Sequence, residues 1–240
     1  MPNASVRTVA MTFNTLWREK RCESVGKTWV AKTIGAHELE IERKRAEIKK
    51  RRPRPMAPNR VWALDLTYVP DIEQKPTPIL GLIDHGSRAC LALREMRTKS
   101  TIAVLRVLLD AIERYGTPRA VRTDNEATFT SFLFRLGLAV FGIRHQRTTP
   151  GCPWQNGRIE RLFATLKVPL RAWHGLAGIP AVLQDDLEQL RTWHNQLRPH
   201  QHLDGLTPAH AWAGTRPNPR KQAQFVDEWD GLLTGYWFPP

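Results

Sequence analysis

One acidic residue sits where a folded chain can least tolerate it. Val61-Trp-Ala-Leu-Asp-Leu-Thr-Tyr-Val69 is a run of apolar, β-branched and aromatic side chains with a single carboxylate, Asp65, at its centre. Such a run reads as a strand, and a strand apolar on both faces lies inside a sheet covered on both sides. That requirement selects a layered α/β fold. A carboxylate in such a strand is costly unless it is paired or bound to metal, so Asp65 marks a site as well as a strand.

Two further acids have the right setting to join it. Asp124 follows Arg119-Ala-Val-Arg-Thr123, a short strand that ends at the acid. Glu160 comes after another 35 residues, on a helix whose Ile159, Leu162, Phe163 and Leu166 recur with the spacing of one buried face. Asn156, Glu160, Ala164 and Lys167 form the neighbouring stripe, which puts Glu160 at the edge of the packed face. Asn156, one turn earlier, is placed to orient the Glu160 carboxylate or to cap the helix start. Three carboxylates from two strands and a helix suit two divalent metal ions. Such a pair clamps the attacking and leaving oxygens of an in-line displacement at phosphorus, the chemistry of cutting and joining nucleic acid.

The rest of the pattern supplies a scaffold. Residues 61–69, 77–84 and 89–95 read as three strands, with His85-Gly86-Ser87 turning between the second and third. Ser100 caps a helix with Ile102, Leu105, Leu108, Leu109 and Ile112 inward, ended by Gly116 and Pro118. A fourth strand at 119–123, a short helix at 130–141, a fifth strand near 143–147 and the Glu160 helix follow. This predicts a mixed five-stranded sheet flanked by helices. Residues 181–197 read as a further helix. The expected organisation is a basic helical segment over 1–50, a basic Pro-rich linker over 51–58, a catalytic core over 59–175, and a helical extension and tail over 176–240.

Charge is distributed unevenly. The net charge is +13, and residues 1–60 hold 15 Lys/Arg against 6 Asp/Glu. Such asymmetry points to a polyanion, with nucleic acid favoured over membrane. Lys49, Lys50, Arg51, Arg52 and Arg54, broken by proline, suit a phosphate backbone. Residues 25–34 have the outline of a turn and recognition helix, or equally of a charged, solvent-facing helix. Cys22, Cys90 and Cys152 have no C-x-x-C spacing, which fits a reducing cytoplasm rather than a disulfide framework. No apolar run is long enough to span a membrane, and the first 20 residues lack a signal-peptide core. The pattern G-x-x-x-x-G-K-S/T is absent, so no nucleotide cofactor is expected. His194, His200, His202 and His210 cluster without a cysteine, a poor match to a zinc site. Asp84 is expected to order its own turn.

Residues 61 to about 212 resemble the catalytic core shared by insertion-sequence transposases and retroviral integrases, the DDE recombinases on a ribonuclease-H-like fold. The resemblance rests on Trp62 and Asp65, Ile83-Asp-His-Gly-Ser-Arg88, Thr123-Asp-Asn125, Pro153, Asn156-Gly157 and Glu160-Arg161. A later tract is similar to the bacterial enzymes in particular: Trp193, Asn195, Arg198-Pro-His200, Leu203, Gly205, Thr207-Pro-Ala209 and Trp212. It implies that Asp65, Asp124 and Glu160 are catalytic and hold Mg²⁺, with Mn²⁺ able to substitute. It also implies that Lys167 contacts the DNA end. Arg158 and Arg161 on the same helix, and Arg147, extend a cationic rim. The implied partners are double-stranded element ends and target DNA, bound by a homo-oligomer because two ends must meet, in the bacterial cytoplasm and at the nucleoid when on DNA. Glu126 stands where the family commonly has glycine. Two alternatives remain: a metal-dependent nuclease of the same fold, and an inactive or truncated remnant that only binds DNA.

Overall fold

The computed structural model describes residues 5–21, 24–50, 56–149, 155–180, 182–218 and 220–239, with the side chains of 18–21 and 45–50 left aside. The chain forms two units, Met1–Arg54 and Pro55–Pro240.

Among the described residues the first unit has three helices, α1 (Val6–Arg21), α2 (Lys27–Ala36) and α3 (Glu38–Lys50). Asn14 clamps the turn between α1 and α2, accepting from the Val25 amide at 2.7 Å and donating to its carbonyl at 3.1 Å. Among the described residues, Ala10 and Val30 are its buried apolar ones.

The second unit is built on β1 (Val61–Pro70), β2 (Pro76–Asp84), β3 (Cys90–Glu95), β4 (Ala120–Thr123) and β5 (Arg144–Arg147), in the order β3-β2-β1-β4-β5. β1, β2 and β3 pair antiparallel, while β4 and β5 continue the sheet in parallel. The apolar run thus becomes β1, the central strand. Alternating side chains divide between the two faces. Trp62 and Leu64 join a core closed by α4 (Thr101–Tyr115) and the pair α5 (Ala127–Thr130) and α6 (Phe132–Val140), while Ala63 joins a second core closed by α7 (Gly157–Ala177) and α8 (Gln184–Thr192).

Ser100 caps α4 as the pattern predicts, accepting from the Ala103 amide. The buried stripe of α4 differs from the expected one: Val104, Leu108 and Ala111 are buried, whereas Ile102 and Leu109 are exposed. α4 meets the sheet on one side and α6 on another, where Leu105 touches Gly137, so its apolar residues exceed one face. The helix expected over 130–141 is α6, which starts at Phe132 because the extended backbone of Ser131 breaks the chain there and its hydroxyl caps the helix; the sequence pattern does not predict the single turn α5 ahead of it.

The linker and extension are bounded differently from the sequence expectation. Residues 51–55 lie outside the described residues, but 56–58 belong to the second unit and lie against its Gly86 turn, where a side chain would strike the Ala57 carbonyl at 2.6 Å. Residues beyond 176 are not a separate appendage and are not wholly helical. A π-helical turn (Trp193–Leu197), a 3-10 turn (Gln201–Leu203) and α9 (Pro208–Ala213) lead to a hairpin, β6 (Gln224–Glu228) and β7 (Leu233–Trp237). Trp229 in the hairpin turn is buried and stacks on Trp173 of α7 at 5.4 Å, and the Trp193 indole donates to the Thr234 carbonyl at 2.9 Å.

Candidate active site

The sheet brings Asp65 and Asp124 to one edge because β1 and β4 are parallel neighbours, paired from Val61↔Ala120 to Ala63↔Arg122. Both chains run in the same direction, so Asp65, past the last pair, and Asp124, just after β4, emerge together. α7 supplies the third acid. It crosses β2 where Gly81 has no side chain; a Cβ there would come within 2.5 Å of the Phe163 ring. Gly81 is also the strand partner of Asp65, so the residue that admits the helix lies beside the carboxylate it serves. Ile159, Leu162, Phe163 and Leu166 are buried as the periodicity predicts, and Glu160 is exposed at the edge.

The electrostatics of Asp65 show the convergence. Its carboxyl is pushed up from 3.8 to about 7, first by burial and next by the charge of Asp124, with Glu160 and Glu126 adding to the effect. The Leu66 amide donates to it at 2.8 Å and pulls the other way. No cation neutralises the three acids: among the described residues none of Asp65, Asp124 and Glu160 forms an ion pair. Nor do they close into a compact metal-binding group among those residues. The donor set nonetheless fits a hard divalent cation. It is made of oxygens only, it carries uncompensated negative charge, and Asn156 Oδ1 is buried beside it with no partner.

Asn156 has a different partner from the one expected. Its amide donates to Asp65 Oδ2 at 3.1 Å rather than orienting Glu160, and it stands at the N-cap of α7 without a capping bond. Asp124 Oδ1 accepts from the Glu126 amide at 2.9 Å, and the Glu126 carboxylate turns to Lys99, 3.5 Å away. Lys99 also donates to the Tyr68 hydroxyl at 2.6 Å. Lys99 is a neighbour of the site that sequence reasoning missed; it follows β3 and carries no local motif.

The predicted DNA contacts divide. Lys167 is half-buried on α7, and burial followed by the charge of Arg171 lowers its pKa. Arg161 and Arg147 are exposed. Arg158 donates to the His85 carbonyl at 2.6 Å, so it is held by the fold rather than loose on the surface. Lys49 and Lys50 end α3 with side chains outside the described residues, where Arg51, Arg52 and Arg54 also fall.

The late tract proves to be a brace. Asn195 accepts from the Cys90 amide at 2.8 Å and donates to its carbonyl at 2.9 Å, pairing with β3 as a strand would. His194, buried, bonds the Arg88 carbonyl at 3.1 Å, and burial lowers its pKa to about 4. Thr207 caps α9. No zinc-like cluster forms from these histidines among the described residues. Asp84 behaves as expected, its carboxylate accepting from the Ser87 amide and hydroxyl and from the Asn59 amide.

Two models described as "Integrase core domain" match the chain, over residues 55–153 and 141–208. An insertion element IS476 protein of 39.2 kDa from Xanthomonas euvesicatoria is 30% identical over 159 residues, 66% of this chain and 46% of that protein. The Gag-Pol polyprotein of Rous sarcoma virus subgroup C (strain Prague) is 33% identical over 120 residues, 50% of this chain and 7% of the polyprotein. The chain therefore spans less than half the length of either relative. The HTLV-2 integrase catalytic core domain in complex with magnesium superposes with a TM-score of 0.56 at 21% identity, covering 66% of this chain and 99% of that one. That likeness shows a shared fold, with its mixed five-stranded sheet flanked by helices.

Proposed function

We propose that this chain, which two models of an integrase core domain match over residues 55–153 and 141–208, is a DNA transposase that cleaves element ends and joins them to target DNA. The observation that carries this reading is the convergence at Asp65: a carboxylate in the central strand, crowded by Asp124 and Glu160 and held by the Asn156 amide. Asp65, Asp124 and Glu160 would hold divalent cations, Mg²⁺ as in the HTLV-2 neighbour or Mn²⁺ in its place, which supply an activated oxygen nucleophile and charge stabilisation on the leaving oxygen. Water attacks phosphorus in end cleavage and a DNA 3′-hydroxyl attacks it in strand transfer; in each case the bond to the leaving 3′ oxygen breaks. Asn156 fixes the Asp65 carboxylate in the orientation the site needs. Lys167, Arg161 and Arg147 hold the DNA strand, and the basic residues 49–54 follow its backbone. Two copies of the chain bring two ends together.

The test is strand transfer by purified protein on paired end duplexes. Joined products with Mg²⁺, and none in excess EDTA, are expected; joining in EDTA would sink the metal assignment. Cleavage without joining would instead identify a nuclease of the same fold, and binding without either would identify a DNA-binding remnant.

A further inference from the structure

A second group of side chains lies next to the carboxylate edge, and of its members only Arg161 has a part in the reading above. Arg88 in the β2–β3 turn and Arg158 in the first turn of α7 both donate to one acceptor, the His85 carbonyl, at 2.8 and 2.6 Å. Arg122 of β4 faces the same space, donating to the Gln155 carbonyl at 3.2 Å and Gln146 Oε1 at 2.9 Å. Arg158 feels the charges of Arg88 and Arg122, Arg88 feels Arg161, and Arg161 in turn reaches Arg198. The five guanidinium groups form one continuous field, drawn from a turn, a strand, a helix and the segment after the π-helical turn.

One carboxylate, Asp84, tempers the charge of Arg88 and Arg158 from a distance, and none pairs with them. Among the described residues none of the five arginines forms an ion pair. Asp84, the acid that Arg88 and Arg158 sense, is spent on its own turn. Yet Arg88, Arg122, Arg158 and Arg198 are half-buried, and only Arg161 is exposed. Like charges aimed at a single carbonyl repel, and partial burial removes the water that would screen them. A solvated basic surface has no reason to accept that cost. Each guanidinium carries five N–H donors, of which Arg88 and Arg158 give one apiece to the His85 carbonyl, leaving most for a ligand. His85 itself is buried at 3% exposure with Nε2 unpartnered, inside the field of Arg158, Arg122 and Arg88.

We propose that Arg88, Arg122, Arg158, Arg161 and Arg198 form a phosphodiester-binding site for duplex DNA, continuous with the catalytic edge through the first turn of α7. The proposal rests on the transposase reading above. Guanidinium forks match pairs of phosphate oxygens, and a bound phosphodiester offsets the repulsion that the free protein carries. Continuity follows from α7 itself: Asn156 turns to Asp65 while Arg158, two residues on, turns to the His85 carbonyl. DNA lying over this turn meets both sites. The brace formed by His194 and Asn195 then has a purpose beyond packing, since it fixes the turn that carries Arg88.

The experiment measures affinity of the full chain for a duplex against salt, in EDTA so that no chemistry occurs. Each lost phosphate contact should flatten the slope of log K against log salt by ~0.9. Arg161→Ala, an exposed change that spares the fold, should show that loss. Arg88→Gln should show it too, while Arg88→Lys keeps the charge and most of the slope. A residue with a merely structural role would move the melting temperature and leave the slope alone. Wild-type slopes in Arg161→Ala and Arg88→Gln, with wild-type binding intact, overturn the proposal. So does a result in which inorganic phosphate raises the melting temperature of wild type but not of the variants while the DNA slopes coincide, because the site then takes free phosphate. If wild-type protein binds DNA with the expected slopes yet never joins ends in Mg²⁺, the transposase reading fails and the phosphodiester site stands.

Discussion

Asp65 and Asp84 are two carboxylates on neighbouring strands of one sheet, three register steps apart, and they have opposite fates. Asp84, paired across from Trp62, is wholly buried and receives three hydrogen bonds from its own turn and from Asn59. Asp65, paired across from Gly81, receives one backbone amide and the Asn156 side chain, and faces like charges. Burial raises the pKa of both, but hydrogen bonds pull Asp84 back while Asp124 and Glu160 push Asp65 further. A carboxylate surrounded by donors belongs to the fold. A carboxylate surrounded by acids has the setting for the cation-binding role proposed for Asp65.

The largest effect that would separate the two is on activity. Asp65→Asn should remove strand transfer by several orders of magnitude, as should Glu160→Gln, because each removes a ligand from the site on which catalysis depends. Asp84→Asn should leave measurable activity. Equal loss in Asp84→Asn, at unchanged melting temperature, would erase the distinction.

On stability the order reverses. Asp84→Ala leaves the buried Ser87 amide and hydroxyl without acceptors, at about 1–3 kcal/mol for each unsatisfied group, and should lower the melting temperature clearly. Asp65→Asn should raise it in metal-free buffer. The sign comes from linkage: Asp65 titrates near 7 when folded and near 3.8 when unfolded, so the folded state holds the extra proton between those values. Metal-free wild type therefore loses stability as pH rises from about 4 to about 7, by at most ~1.4 kcal/mol for each step of one in pH. Thermal melts against pH should show this slope in wild type, its absence in Asp65→Asn, and a larger Mg²⁺ stabilisation at pH 7 than at pH 5.

Gly81→Ala tests the route by which α7 reaches the edge. The new methyl group collides with Phe163, and overpacking of this kind costs ~1–3 kcal/mol. Strand transfer should fall more than stability alone accounts for, and a second change, Phe163→Leu, should restore part of it. No recovery in the double variant would show that the contact does not position Glu160.

The smallest effect is expected at Glu126. Its carboxylate pairs with Lys99 and only its backbone amide touches Asp124, so Glu126→Gln should change the rate by less than tenfold, or ~1.4 kcal/mol on the barrier. Loss of all activity in folded Glu126→Gln protein would make it a fourth acid of the site.

The sequence by itself determined the central strand with Asp65 in it, the short strand that ends at Asp124 and the helix that carries Glu160, because hydrophobic periodicity records which face of an element is buried and a charge in an apolar run stands out against it. Ser100 as a cap and Asp84 as a turn former were legible for the same local reason. Tertiary structure alone decided what lies far apart in sequence and close in space. It gave the Asn156 amide to Asp65 rather than to Glu160, joined Arg88, Arg122, Arg158, Arg161 and Arg198 into one field, turned the late tract into a brace for β3, and folded residues 224–237 into a hairpin on Trp173. Local chemistry writes periodicity and capping into the chain one turn at a time. A long-range pairing leaves no such mark, since an arginine that will face another across 70 residues has the same neighbours in sequence as one that will face water.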